Sequence, residues 1–491
     1  EPLGGEFNIL TYDSCETHAV CARPQPPPVR LGATPAQTHT FQQQVMTERN
    51  ACAGYKWQGT VQCDGQEWGQ HTDPIDGSGT LVLSGNSVAL SGNGRYLAVG
   101  VPDGGGGNGA VETYVLKGGV WTARGGTITG VAAGDGAGSS VAISDNGARL
   151  IYGAPEATTN TGYARVFDYN VATSAWIEKG SVNLYGVNYV VPATGQFSGW
   201  AVAISGDGTS VAVGAPWSVP VPTQFSGSVL TYRFDTTSGE WATYGASSGL
   251  IGDYIPSAFG FSLALSHTGD QLLVGAPGLA SSGATTSGVH NGFIRLFTLV
   301  AVHWGQTVPL RHFGTTAGDA FGHSVAINKN GSVIAGATPF ATIGGTVRAG
   351  QTMVYSKGTD GTYTQVGDSI DGTITDNRTG QSLSLASSGK RIAVAQSNSG
   401  ASLNGTAQVY DFAGGAWTQV DNDLDNGAAP AFGNSPVNSV SMSLRGNLVV
   451  SGRPAYNTDT GQTTTHALAR DPAVARCCPA NPVQREYTLQ R

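Results

Sequence analysis

The sequence predicts an all-β chain whose body is a seven-bladed β-propeller of four-stranded antiparallel blades. A glycine-containing hairpin loop recurs seven times, with its glycines at 94, 147, 208, 269, 331, 389 and 446. Each of the first six loops is followed by a second hairpin and an aromatic residue, while the seventh has no such aromatic after it. The missing one stands ahead of the first loop instead, at Trp68. Seven copies of a unit this size point to a radial array, because one unit cannot bury its own hydrophobic face and must stack on neighbours.

Residues 1–55 do not share the repeat. Phe7-Asn-Ile-Leu-Thr-Tyr12 reads as a strand, and Arg23-Pro-Gln-Pro-Pro-Pro28 as extended polyproline II. Together they form an N-terminal arm. The propeller is expected over 56–470, and residues 471–491 make a C-terminal tail.

Within the repeat, the first half of each copy is a hairpin. Val88-Ala-Leu-Ser-Gly-Asn-Gly94 leads to Leu97-Ala-Val-Gly100, and Val202-Ala-Ile-Ser-Gly-Asp-Gly208 leads to Val213-Gly-Ala-Pro216. Alternating apolar residues give the two strands, and the loop glycine supplies a positive φ. Ala and Gly beside the strands let inner strands crowd around an axis. The second half, as in Gly162-Tyr-Ala-Arg-Val-Phe167 running to Trp176, is another hairpin. Trp121, Trp176, Trp241, Trp304, Tyr363, Trp417 and the displaced Trp68 are expected to pack between blades as large apolar fillers. Trp68 is followed by Pro74-Ile-Asp-Gly77, which matches Ser369-Ile-Asp-Gly372 after Tyr363. The last blade is therefore expected to take its outermost strand from the N-terminal side, which removes two open sheet edges.

Phe259-Gly-Phe-Ser262, Phe321-Gly-His-Ser324, Val213-Gly-Ala-Pro216 and Val274-Gly-Ala-Pro277 recur in register. In these elements the chain resembles the FG-GAP repeats of the integrin α-subunit propeller and related secreted proteins. The resemblance implies the propeller fold and says little about activity, since one fold hosts many functions. Integrin-type repeats often carry an Asp-x-Asp-x-Asp-Gly calcium loop. Here the loops read Ser91-Gly-Asn-Gly94, Ser144-Asp-Asn-Gly147, Ser205-Gly-Asp-Gly208 and Asn328-Lys-Asn-Gly331, too poor in carboxylates for calcium. Asp421-Asn-Asp-Leu-Asp-Asn-Gly427 alternates carboxylates but reads as a solvated turn. No metal site and no cofactor is expected.

A net charge of −8 argues against nucleic acid, whose binders need a basic face. No apolar run is long enough to span a bilayer as a helix. Cys15, Cys21, Cys52, Cys63, Cys477 and Cys478 lie only towards the two ends, which reads as disulfides stapling arm and tail in an oxidising compartment. Zinc is the rival reading, but CxxC spacing is absent. Cys477 and Cys478, being adjacent, are expected to reach separate partners, with fifteen pairings open for six cysteines. The chain opens at Glu1 without Met, as a mature form would after loss of a leader. Asn330-Gly-Ser332, Asn377-Arg-Thr379 and Asn404-Gly-Thr406 are N-glycosylation sequons in expected loops. These features imply a secreted, extracellular or cell-surface protein.

No catalytic residue emerges. The nine histidines are scattered; His267 reads as an exposed turn residue and His323 as a packing variation. Loops that differ between copies are better candidates, because binding groups tend to sit on loops held by a rigid scaffold. Tyr185, Tyr189, Trp217 and Tyr254 are the binding candidates there, able to contact a protein strand or stack on a sugar; packing against neighbouring loops is the alternative for them. The expectation is a non-enzymatic structural, adhesion or assembly module acting through protein or glycan contacts, with the arm adding to a neighbour's sheet edge or folding back on its own chain. The alternative is a secreted carbohydrate-active enzyme, a lyase or glycosidase, using one propeller face.

Overall fold

The computed structural model describes residues 66–470 apart from 80–81, 181–182, 186–194, 220–225, 247–248, 253–256, 279–290, 314–317, 400–403, 425–436 and 457–459. All six cysteines lie outside the described residues. One compact unit runs from Trp68 to Leu468. It is all-β, with seven small antiparallel sheets. The two four-residue helical segments, Gly104–Gly107 and Ala157–Asn160, contain left-handed residues and amount to turns.

Each sheet is one blade, and the first strand of each copy lies innermost. These strands are Ser87–Leu90, Ser140–Ile143, Ala201–Ile204, Ser262–Leu265, Ser324–Ile327, Leu383–Leu385 and Ser439–Met442, defining blades 1 to 7. Each touches the next, and the seventh touches the first, so the ring is closed. Closure is made by chain ends of the repeat region. Strand Gln66–Gln70, carrying Trp68, pairs with Gln462–Arg470 as the outer strand of blade 7. Ile75 and Asp76 continue the same line opposite Thr463 and Gln462.

The expected four strands per blade need a correction. Blades 1, 3, 5 and 7 hold a fifth, two-residue strand: Ile128–Thr129, Leu250–Ile251, Ile370–Asp371 and Ile75–Asp76. The cause is visible in the register. In blade 1, Val120–Ala123 pairs with the end of Ala110–Lys117, and Ile128–Thr129 returns to pair with that strand's beginning. The outer line is thus one strand broken by a bulge. Blade 4 keeps it as a single strand, His303–Phe313, with an irregular register between Arg295 and Phe297.

The core sits in the seams. Seven hydrophobic clusters are present among the described residues, and each draws on two adjacent blades. Leu150 and Tyr152 of blade 2, for example, pack with Ala98 and Val111 of blade 1. Each fully buried leucine or isoleucine contributes about 1.5–3 kcal/mol, and that contribution exists only when two blades meet. Close approach at the seams fixes the glycines of the repeat. A Cβ on Gly153 would lie 1.9 Å from the carbonyl oxygen of Gly199 in the next blade, and Gly199 itself holds φ at +86°.

The loops between first and second strands gather at the lower face and join one another through hydrogen bonds. The N–H of Asn93 donates to Asp145, that of Asp145 to Gly206, Asp207 to His267 and His267 to Lys329. The belt continues through the Asn328 side chain to Ser387, from Ser387 to Leu444 and from Leu444 back to Gly92. Within a turn, Ser91 Oγ accepts the Tyr96 N–H and donates to Asn93; Ser144 and Ser205 do the same in blades 2 and 3. His267 is half-buried rather than exposed. Its Nδ1 lies 2.6 Å from Asp145 Oδ2, reaching from blade 4 across Gly206 of blade 3 to blade 2.

Candidate functional site

The side chains of greatest interest line the opposite, upper mouth of the ring. There each innermost strand begins and each second strand ends, so the motif glycines sit side by side. The residue just ahead of the innermost strand comes once from each blade: Asn86, Ser139, Trp200, Phe261, His323 and Gln381, each after a motif glycine, and Asn438, after Val437. The succession is held by contacts. Asn86 Nδ2 donates to the Ser139 carbonyl at 3.2 Å. Ring centroids of Trp200 and Phe261 lie 5.5 Å apart, and those of Phe261 and His323 5.1 Å apart.

Half of this rim is aromatic and half is amide or hydroxyl. On the aromatic side, Trp217 packs edge-on against Trp200 at 4.5 Å, Phe197 lies 5.0 Å from Trp217, and Phe340 lies 5.7 Å from His323. The Arg378 guanidinium sits over Phe340 at 5.6 Å. Trp200 keeps 36% of its surface exposed, unusual for an indole among the described residues. The other rings support it from the side, so its orientation is set before anything binds. Burial pushes the His323 imidazole down to about pH 4, with Arg378 adding to the shift against a carbonyl of Gln381. At neutral pH the rim residues therefore carry no charge. The lower ring is different, with Asp145, His267 and Lys329 among its seven positions.

Of the loop aromatics read from the sequence, Trp217 belongs to this sector. Tyr185 is 38% exposed, and its main chain is tied to the Tyr232 hydroxyl instead. Tyr189 and Tyr254 lie outside the described residues. Trp200 and Phe261 were not among the sequence candidates. The signal that finds them is a column-by-column comparison of the motif's variable position, where two copies carry a large apolar ring in place of a small polar residue.

The blade aromatics span seams. Trp121 Nε1 donates to Thr465, Trp176 to Thr113 and Trp304 to Thr231, each at 2.8 Å and each into the preceding blade. Trp241 and Trp417 likewise reach into the preceding blade, to the carbonyls of Lys179 and Val366. Tyr363 bonds to Gly331 inside its own blade. The Trp68 main-chain N–H donates to the Asp421 carboxylate, tying blade 7 to blade 6. Asp423 in that acidic turn accepts from Gln408 and Gln419, so both carboxylates have structural partners in the shallow hollow they line. No cluster of three metal-ligating side chains occurs among the described residues.

The sequons differ in setting. Asn330 is exposed in the blade 5 turn, and Asn404 opens strand Asn404–Ala413. Asn377 is corrected from a surface loop position to a buried one. It is 2% exposed, donates to Gln396 and accepts from Thr379, the third residue of its own sequon.

Fold and rim together define a seven-bladed β-propeller with an aromatic sector at one mouth. No known family's sequence profile matches the chain, and no curated protein matches it by sequence. Among solved structures it is similar to a chain of hydrazine synthase from Kuenenia stuttgartiensis, at 14% identity with a TM-score of 0.46, over 85% of this chain and all of that one. A likeness this distant carries no argument about function.

Proposed function

We propose that this protein is a non-enzymatic binding propeller of the FG-GAP type, acting outside the cell in surface structure, adhesion or assembly. The observation that carries the reading is the aromatic sector of the upper rim. Trp200, 36% exposed, is held by the half-buried Trp217 and Phe261 as a preorganised surface that an isolated structural ring would not need. The rim position supplies no carboxylate and its histidine is neutral, which supports recognition over acid–base turnover. The N-terminal arm is the proposed assembly element, so a chain lacking residues 1–30 should stay folded and no longer self-associate. A glycan at Asn330 would fit the extracellular reading, and intact mass before and after glycosidase reads it.

The direct test uses labelled protein added to cells of the source organism. Wild type should decorate their exterior, and a Trp200→Ala/Trp217→Ala double variant with an unchanged far-ultraviolet spectrum should not. Equal decoration by both proteins would remove the upper rim from consideration.

A further inference from the structure

The upper rim has a composition that selects among ligand chemistries. Its seven positions hold an indole, a phenyl ring and an imidazole on one side, and Gln381, Asn438, Asn86 and Ser139 on the other. No Asp, Glu or Lys occupies any of the seven. The seven positions themselves offer an anionic polymer, a phosphate or an acidic peptide no charge to pair with, and the Arg378 guanidinium beside them lies over the Phe340 ring. The lower ring instead carries Asp145, His267 and Lys329.

We propose that the upper rim binds a neutral sugar ring, stacked on Trp200 and hydrogen-bonded by the amide side of the rim. This rests on the binding role proposed above and names its ligand class. A pyranose presents a face of C–H groups with partial positive charge and an edge of hydroxyls. The face matches the negative π-surface of an indole. The hydroxyls donate and accept, as do the carboxamides of the half-buried Gln381, Asn438 and Asn86. The stacking surface is fixed in advance, because Trp200 is braced by Trp217 at 4.5 Å, by Phe261 at 5.5 Å and by Phe197 at 6.3 Å. That bracing lowers the ordering entropy of binding.

The test titrates cellohexaose, chitohexaose and mannohexaose into the whole chain by calorimetry and tryptophan fluorescence. An oligogalacturonate and a proline-rich decapeptide serve as the charged and peptide arms. At least one neutral hexasaccharide should bind and quench the indole emission. Trp200→Ala should weaken that binding about tenfold or more, Trp200→Tyr should recover part of it, and Tyr185→Ala should leave it unchanged. Silence from all three neutral sugars, binding of the galacturonate or the peptide alone, or sugar binding indifferent to Trp200→Ala would each overturn the assignment. If the sugars fail while the double variant still loses cell-surface decoration, the ligand class is wrong and the binding role stands.

Discussion

At the scale of single residues, two positions turn geometry into measurable quantities. Gly153 faces the Gly199 carbonyl at a distance no side chain can enter, so Gly153→Ala must push two blades apart. Overpacking of this kind costs about 1–3 kcal/mol, and urea unfolding should show the loss as a lower midpoint. His323 gives a pH signature. The unfolded chain takes up a proton near pH 6.5, whereas the folded rim refuses it until about 4. The unfolded state therefore binds more protons between those values, and stability falls as pH drops through that window. Above it the group contributes its full effect, and below it the loss is complete, on the order of 1–3 kcal/mol. His323→Phe, which keeps a ring between Phe261 and Phe340, should flatten the wild-type profile between pH 6.5 and 4. An unchanged slope in that variant would assign the dependence to other groups.

At the scale of elements, the unit of stability is the seam. Trp176 illustrates it: the indole joins the apolar cluster between blades 1 and 2, and its Nε1 reaches Thr113 across the boundary. Beside it, Arg124 lies between the rings of Tyr96 and Tyr169, at 4.1 and 3.8 Å, and donates to the Gly147 carbonyl. Trp176→Phe keeps most of the packing and loses the hydrogen bond, so it should destabilise by about 1 kcal/mol. In a Thr113→Val background the same change should have a smaller effect, which a double-mutant cycle measures. Hairpins, blade number and the displaced outer strand were legible in the sequence because the glycine loops and apolar alternation are local and repeat seven times. The broken outer strand was not, since it shows only in the pairing of the outer line, where the Arg124 N–H returns to the Thr113 carbonyl of its own blade. The rim was half legible. Trp217 stood out beside Gly-Ala-Pro216, but Trp200 and Phe261 sit in a motif whose other copies are small, and only ring closure brings them to one mouth. Burial of Asn377 was equally hidden, because its partner Gln396 lies in the following hairpin.

At the scale of the whole molecule, the propeller depends on a single fastening. Six blades are continuous in sequence, and the seventh is completed by a strand that begins before the first. That arrangement leaves no blade with an unpaired outer line and ties the ends of the repeat region together. It also concentrates vulnerability in Gln66–Gln70, where Trp68 fills the blade 6–7 seam against Ala393, Val409 and Val449. Trp68→Ala should cost about 3–5 kcal/mol, as for other buried aromatics cut to alanine. A chain starting at residue 74 tests the fastening itself. It exposes the edge of Gln462–Arg470, a template for pairing with another copy. We expect that chain to melt earlier and to self-associate with rising concentration in sedimentation runs. A synthetic peptide spanning 62–79 should restore both properties by re-entering blade 7. If the shortened chain remains monomeric and melts with the wild type, the closure carries none of the stability argued for it.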